Sequence, residues 1–150
     1  MKQPETYDEL KLDRQVCFPL YAATNLLQRL YRPLLAPLGL TYSQYLVMMV
    51  LWERGRVTVG ELRSCLHLDN GTLTPLLKRM ELARHIVRYR DADDERRVLV
   101  ELTPEGLALR EAAREVPVAL SRQLDLERGQ LSSLQSTAQD LVRMLADHVQ

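Results

Sequence analysis

The sequence predicts a mainly α fold: a helix-turn-helix with a small β-hairpin wing, set between longer N- and C-terminal helices. Three observations carry this. Apolar residues recur at three- and four-residue steps along most of the chain. Two short helical segments, the first capped by Thr58, flank a short turn containing Gly71. An alternating hairpin pattern around an acidic loop follows directly.

Residues 1–12 are polar and include Pro4, which predicts an arm with little fixed structure. From Asp13 onward Val16, Leu20, Ala23, Leu27, Leu30, Tyr31 and Leu34 trace one helix face. Pro19 suits a first turn, so the regular helix is expected to start near Phe18, and Pro33, Pro37 and Gly39 predict its kinked end. Thr41, Tyr42 and Ser43 offer capping hydroxyls to a buried helix over 44–54 that carries Tyr45, Val47, Met48, Val50, Leu51 and Trp52 and stops at Gly55. Thr58 caps a helix over 59–66, with Glu61 completing a reciprocal capping box. Residues 67–71 read as a turn, and 72–83 as a second helix with Leu73, Leu76, Leu77 and Met80 on one side. Strands are expected over 86–90 and 97–102, around the acidic loop 91–95. Thr103, Pro104 and Glu105 supply a cap, a first-position proline and a first-turn acid to a helix reaching about Leu126, kinked at Pro117. Gly129 is expected to break the chain before a last helix over 131–149. The 150 residues fit one domain. The terminal helices carry more leucine than one core of this size needs, and both plain core packing and a dimer interface accommodate that surplus.

No apolar run approaches the ~18 residues of a membrane span, and the N-terminus lacks a signal-peptide stretch. Two cysteines cannot build a disulfide framework, so a cytoplasmic protein with no membrane partner is expected. No metal and no cofactor is expected: His67 and Cys65 lack further ligands at zinc spacing, and His85 and His148 stand alone.

Twenty basic and 20 acidic side chains sum to a net charge of zero, which taken whole speaks against a polyanion binder. The distribution reverses that. Over residues 54–97 ten basic groups face seven acids, a balance of +3 that leaves −3 for the rest, and residues 72–90 hold five basic groups against Glu81 alone. A basic helix and basic hairpin suit the phosphate backbone and major groove of duplex DNA. The candidate contacts are Asn70, Thr72, Thr74, Lys78 and Arg79 on the helix. Loop 91–95 repels phosphate, so the wing contact falls to Arg90, Arg96 or Arg97, with Asp94 free to pair with Arg96 or Arg97 and shape the turn. For any one of these side chains, a solvated face is the competing reading.

Cys17 stands at the expected start of the first helix, where an anion is favoured and a thiol ionises more readily. The thiolate is the form that peroxides convert to sulfenic acid. A cysteine between Val16 and Phe18 also reads as an inert buried residue. Tyr21, Tyr31, Tyr42 and Tyr45 cluster in this part of the chain, and phenols can donate hydrogen bonds to a thiolate or simply edge a core. Cys65 reads as structural.

Together these residues resemble the MarR family of winged-helix repressors, and within it the organic-hydroperoxide-sensing branch. The likeness lies in residues 12–18 (LDRQVCF), 31–35 (YRPLL), 38–45 (LGLTYSQY), 68–79 (LDNGTLTPLLKR) and 94–98 (DERRV), and spans about 12–107. The resemblance implies a homodimer held by helices over 13–40 and 104–149, whose winged helix-turn-helix over 41–103 binds an inverted-repeat operator in double-stranded DNA. It implies a peroxide sensor at Cys17, whose sulfur accepts hydrogen bonds from two tyrosines supplied by the partner subunit and matched here by Tyr31 and Tyr42. Oxidation to sulfenic acid and capping by a low-molecular-weight thiol then release the operator. Pro19 departs from the small helix former usual there, and the absence of a cysteine near the C-terminal end points to a one-cysteine sensor. Two other functions fit parts of the pattern: a family member gated by a small aromatic or lipidic ligand, and a thiol peroxidase-like enzyme. The missing resolving cysteine and the basic winged helix argue against the enzyme.

Overall fold

The computed structural model describes residues 5–149, so the first four residues of the expected arm lie outside it. The rest of the arm is more ordered than its composition predicts. It folds into two 3-10 turns, Asp8–Leu10 and Leu12–Arg14, tied by the Gln15 amide, which donates to the carbonyls of Glu9 (2.6 Å) and Lys11 (3.2 Å).

The chain forms two compact units, one ending at Val116 and one starting at Pro117. In the first, helix α1 (Cys17–Leu35) begins one residue before the expected start. Pro19 falls in its first turn, where a missing N–H costs nothing. The helix runs through Pro33, and the expected kinked end becomes a separate 3-10 turn, Ala36–Leu38, closed by Gly39 at φ +67°. Helix α2 (Tyr42–Arg54) starts two residues early because Thr41 and Gln44 cap each other: Thr41 Oγ1 accepts from the Gln44 N–H and Gln44 Oε1 from the Thr41 N–H. It packs against α1 and three later helices, and buries Tyr45, Val47, Met48, Val50 and Leu51. Trp52, expected to be buried, sits at the rim and donates its indole N–H to the Gly106 carbonyl at 3.0 Å.

A strand absent from the sequence reading, β1 (Val57–Thr58), precedes helix α3 (Val59–Leu66). Two residues are too short to show alternation. Helix α4 (Asn70–Leu82) begins at Asn70 and not at Thr72, because Asp69 Oδ1 accepts the Thr72 N–H at 2.7 Å and draws the turn into the helix. Strands β2 (Ile86–Arg90) and β3 (Val98–Leu102) complete an antiparallel sheet in the order β1-β3-β2, with Val57 opposite Val100 and Arg90 opposite Val98. The core joins Leu35, Met48, Leu51, Leu62, Leu73, Leu77, Met80, Ile86 and Val100, all nearly inaccessible.

The long helix expected from Thr103 is two helices, α5 (Pro104–Ala113) and α6 (Glu115–Leu124). Pro117 cannot donate to the Ala113 carbonyl, so the break falls one turn upstream of the proline. In the second unit, helix α7 (Arg128–Ala146) starts ahead of Gly129, which lies in its first turn. The interruption is at Asp125, whose φ is +47°. Among the described residues no single helix is long and apolar enough to cross a membrane.

Candidate nucleic-acid interface and thiol site

Helix α4 divides its residues cleanly. Leu73, Leu76, Leu77 and Met80 face the core, while Asn70, Thr72, Thr74, Lys78 and Arg79 are exposed. Asn70, Thr74 and Lys78 follow at four-residue steps and form one stripe along the outer side. The far end of α4 is tied to the hairpin by Glu81, which accepts from Arg88 Nε (3.2 Å), Arg88 Nη2 (2.9 Å) and the Arg88 backbone N–H (3.2 Å). That fork holds the Glu81 carboxyl below its usual pKa and removes Arg88 from the free basic groups.

The wing turn is built from the acidic loop. Asp94 pairs with Arg96 at 3.1 Å and Asp91 with Arg97 at 3.4 Å, and Arg90 donates to the Glu95 carbonyl at 2.7 Å. Asp91 and Asp94 also accept the backbone N–H groups of Asp93 and Arg96, which fixes the turn. The Arg96 hydrogen bonds lower the Asp94 pKa. Arg96 nonetheless leaves 91% of its side chain in solvent, so the carboxylates shape the wing without withdrawing it.

Three contacts escaped the sequence. Arg63 on α3 donates to Asn70 Oδ1 at 3.3 Å across the turn. Arg56 donates to the Tyr89 hydroxyl at 3.4 Å, and that hydroxyl donates to Glu101 at 2.8 Å. Such contacts join different elements, and no local pattern encodes them.

Cys17 is the first residue of α1 and is exposed, as are Val16 and Phe18, so the buried inert reading does not describe it. Cys65, expected to be structural, is exposed on α3. Tyr31 and Tyr42 pack at a tilt of 39° with ring centroids 4.6 Å apart, Tyr31 and Tyr45 lie at 6.0 Å, and Tyr45 meets Trp52 edge-on at 6.3 Å. Burial, then the neighbouring Tyr42 and Tyr45, push the Tyr31 pKa up to about 12, and burial raises Tyr42 as well. Both phenols are therefore neutral donors at physiological pH. Cys17 and Tyr31 lie on one continuous helix, fourteen residues apart, an axial separation of about 21 Å. Neither tyrosine reaches the sulfur of its own chain. Among the described residues no three His, Cys, Asp or Glu side chains cluster to hold a metal.

The family of transcriptional regulators SarA/Rot matches residues 29–112. An organic hydroperoxide resistance transcriptional regulator of Bacillus subtilis (strain 168) is 45% identical over 130 residues, covering 85% of this chain and 88% of that one. The chain belongs to the MarR/SarA family of winged-helix transcriptional regulators. Another relative, the HTH-type transcriptional regulator TtmR of Methylorubrum extorquens (strain PA1), is 51% identical over 110 residues, 73% of this chain and 56% of its own length. Among solved structures, reduced AbfR bound to DNA superposes with a TM-score of 0.80 at 32% identity, covering 95% of this chain and 98% of that one. AbfR is a protein of Staphylococcus epidermidis, known also in an overoxidised form bound to DNA and in a disulfide form. The relatives it matches are named as transcriptional regulators and not as enzymes, which speaks against the thiol peroxidase reading.

Proposed function

We propose that the protein is a cytoplasmic, homodimeric repressor that holds an inverted-repeat operator and releases it when an organic peroxide oxidises Cys17. The observation that carries this reading is the exposed Cys17 thiol at the start of α1 and, about 21 Å along the same helix, Tyr31 packed at a tilt against Tyr42 of α2, both neutral phenols. Two α1 helices paired antiparallel about a twofold axis bring each Cys17 to the partner's tyrosines, which donate hydrogen bonds to the thiolate. The exposed apolar faces of the terminal helices, over 13–40 and 104–149, supply the dimer contacts.

In the reduced state Asn70, Thr72, Thr74, Lys78 and Arg79 meet the major groove, and Arg90, Arg96 and Arg97 the flanking backbone. The Cys17 thiolate attacks the distal peroxide oxygen, yielding sulfenic acid and an alcohol. A low-molecular-weight thiol condenses with the sulfenic acid to a mixed disulfide and water. The enlarged group displaces Tyr31 and Tyr42, and the two α4 helices lose the half-site spacing of about 34–36 Å.

Cys17→Ser tests this reading: operator binding persists and added organic peroxide no longer releases DNA. A Cys17→Ser protein that still lets go on oxidant, or one released equally by an aromatic or lipidic compound without oxidant, overturns it in favour of ligand gating. With 6–10 phosphate contacts, log affinity falls against log salt with a slope of magnitude about 5–9.

A further inference from the structure

Helix α4 keeps a proline in its interior. Pro75 is the sixth residue of the helix, beyond the first turn where a missing N–H costs nothing, and it is exposed. It deprives the Gly71 carbonyl of its helical donor, and proline is the least favourable of all residues in a helix interior. Core packing does not offset that cost. The α4 contribution to the core is Leu73, Leu76, Leu77 and Met80, and Pro75 is not among the residues packed with them.

The helix repeat places the ring. Pro75 follows the buried Leu73 by two residues, about 200° around the axis, so it lies nearly opposite the core side. Gly71, one turn back on the same ridge, is also exposed and has no side chain to project beyond the ring. Asn70, Thr74 and Lys78 run alongside, all exposed. An apolar ring therefore stands on the part of α4 that projects farthest from the core, among polar groups able to reach base edges and phosphates.

We infer that Pro75 is a specificity-determining residue for operator recognition, its ring packing against the C5-methyl group of a thymine in the major groove. The inference rests on the operator-binding reading above. Thymine is the base that offers a methyl group there, whereas adenine, guanine and cytosine present hydrogen-bonding groups without one. The pyrrolidine ring has no donor or acceptor of its own. Set against another base, it takes a polar edge out of water and returns no hydrogen bond.

The test uses the full chain and a randomised duplex library with two inverted half-sites, read by selection and sequencing. Pro75→Ser restores the backbone N–H and replaces the ring by a hydroxyl, so the helix loses no bond. The wild type enriches thymine at one position in each half-site, and Pro75→Ser relaxes that position alone. In the selected operator, deoxyuridine in place of that thymine removes the methyl and keeps the base pair. Made in one half-site, this change weakens wild-type binding about fourfold, the worth of one buried methyl group, and leaves Pro75→Ser binding unaltered. Pro75→Ala, which restores the same N–H and keeps an apolar group, retains a smaller preference for thymine over deoxyuridine. A merely altered helix weakens all sequences alike and does not sense one methyl group. A wild type indifferent to deoxyuridine at every thymine, a Pro75→Ser protein as sensitive to the methyl as the wild type, or a Pro75→Ala protein as indifferent as Pro75→Ser overturns the inference while leaving operator binding intact. A wild type that enriches no sequence instead overturns operator binding itself.

Discussion

Helices α4 and α1 are both amphipathic and treat their apolar faces in opposite ways. The 13-residue α4 buries Leu73, Leu76, Leu77 and Met80, none more than 3% exposed. The 19-residue α1 buries only Leu35 and leaves Phe18 at 41% and Leu26 at 56% exposure. Helix α7, also 19 residues, buries none of its residues and leaves Leu134 at 62%. Covering apolar surface stabilises by about 25 cal/mol per Å², so an exposed stripe along a long helix is free energy that a second surface can recover. The DNA-reading part is thus complete within one chain. Helices α1 and α7 each leave an apolar face exposed.

The largest expected effect breaks or confirms that contrast directly. Leu77→Ala opens a cavity under α4 and costs about 2–5 kcal/mol in denaturant unfolding, whatever the protein concentration. Leu26→Asp on α1 leaves the folded chain intact and removes the concentration dependence of the thermal midpoint that a dimer confers. A Leu26→Asp protein that still sediments as a dimer breaks the comparison.

A smaller effect sharpens it at the start of α4. Asp69→Ala deletes the cap on the Thr72 N–H and costs about 1 kcal/mol, seen as faster amide exchange in the first turn while the α2 amides stay protected. Unchanged exchange at Thr72 shows that the cap does not hold the turn.

The smallest effect is a pH dependence confined to the α1–α2 corner. The Tyr31 pKa is raised from 10.0 to about 12, so the native state favours the neutral phenol. Its contribution to stability is complete below pH 10 and is lost as pH rises from there through about 12. Tyr31→Phe flattens part of that alkaline decline, and an ultraviolet titration of the wild type shows one phenol ionising late. A Tyr31→Phe protein with an unaltered alkaline limb contradicts the assignment.

The elements legible in the sequence were those with a local cause. The Thr58–Glu61 capping box, the α4 leucine pattern, the Asp94–Arg96 pair and the interruption near Pro117 each depend on residues within one or two turns. Where a cap or a distant strand moved a boundary, local reading failed. Asp69 drew Asn70 and Gly71 into α4, and β1 exists only because Val57 and Thr58 find Val100 and Leu99 across the sheet. Gly106 is a similar case: a Cβ there would lie 2.1 Å from the His85 carbonyl oxygen, a close approach between the start of β2 and α5 that its neighbours in sequence do not reveal.

By itself the sequence determined the helical periodicity, the order of the winged helix-turn-helix, the basic centre hidden in a neutral total, and the position of Cys17 at a helix start. These follow from side-chain spacing, charge and capping chemistry, which act over a few residues. Tertiary structure alone decided that Cys17 is exposed, that Tyr31 and Tyr42 pack together far from it, that Glu81 neutralises Arg88, and that Arg63 meets Asn70. Each of these depends on the distance between separate elements, and such distances are set when the core packs.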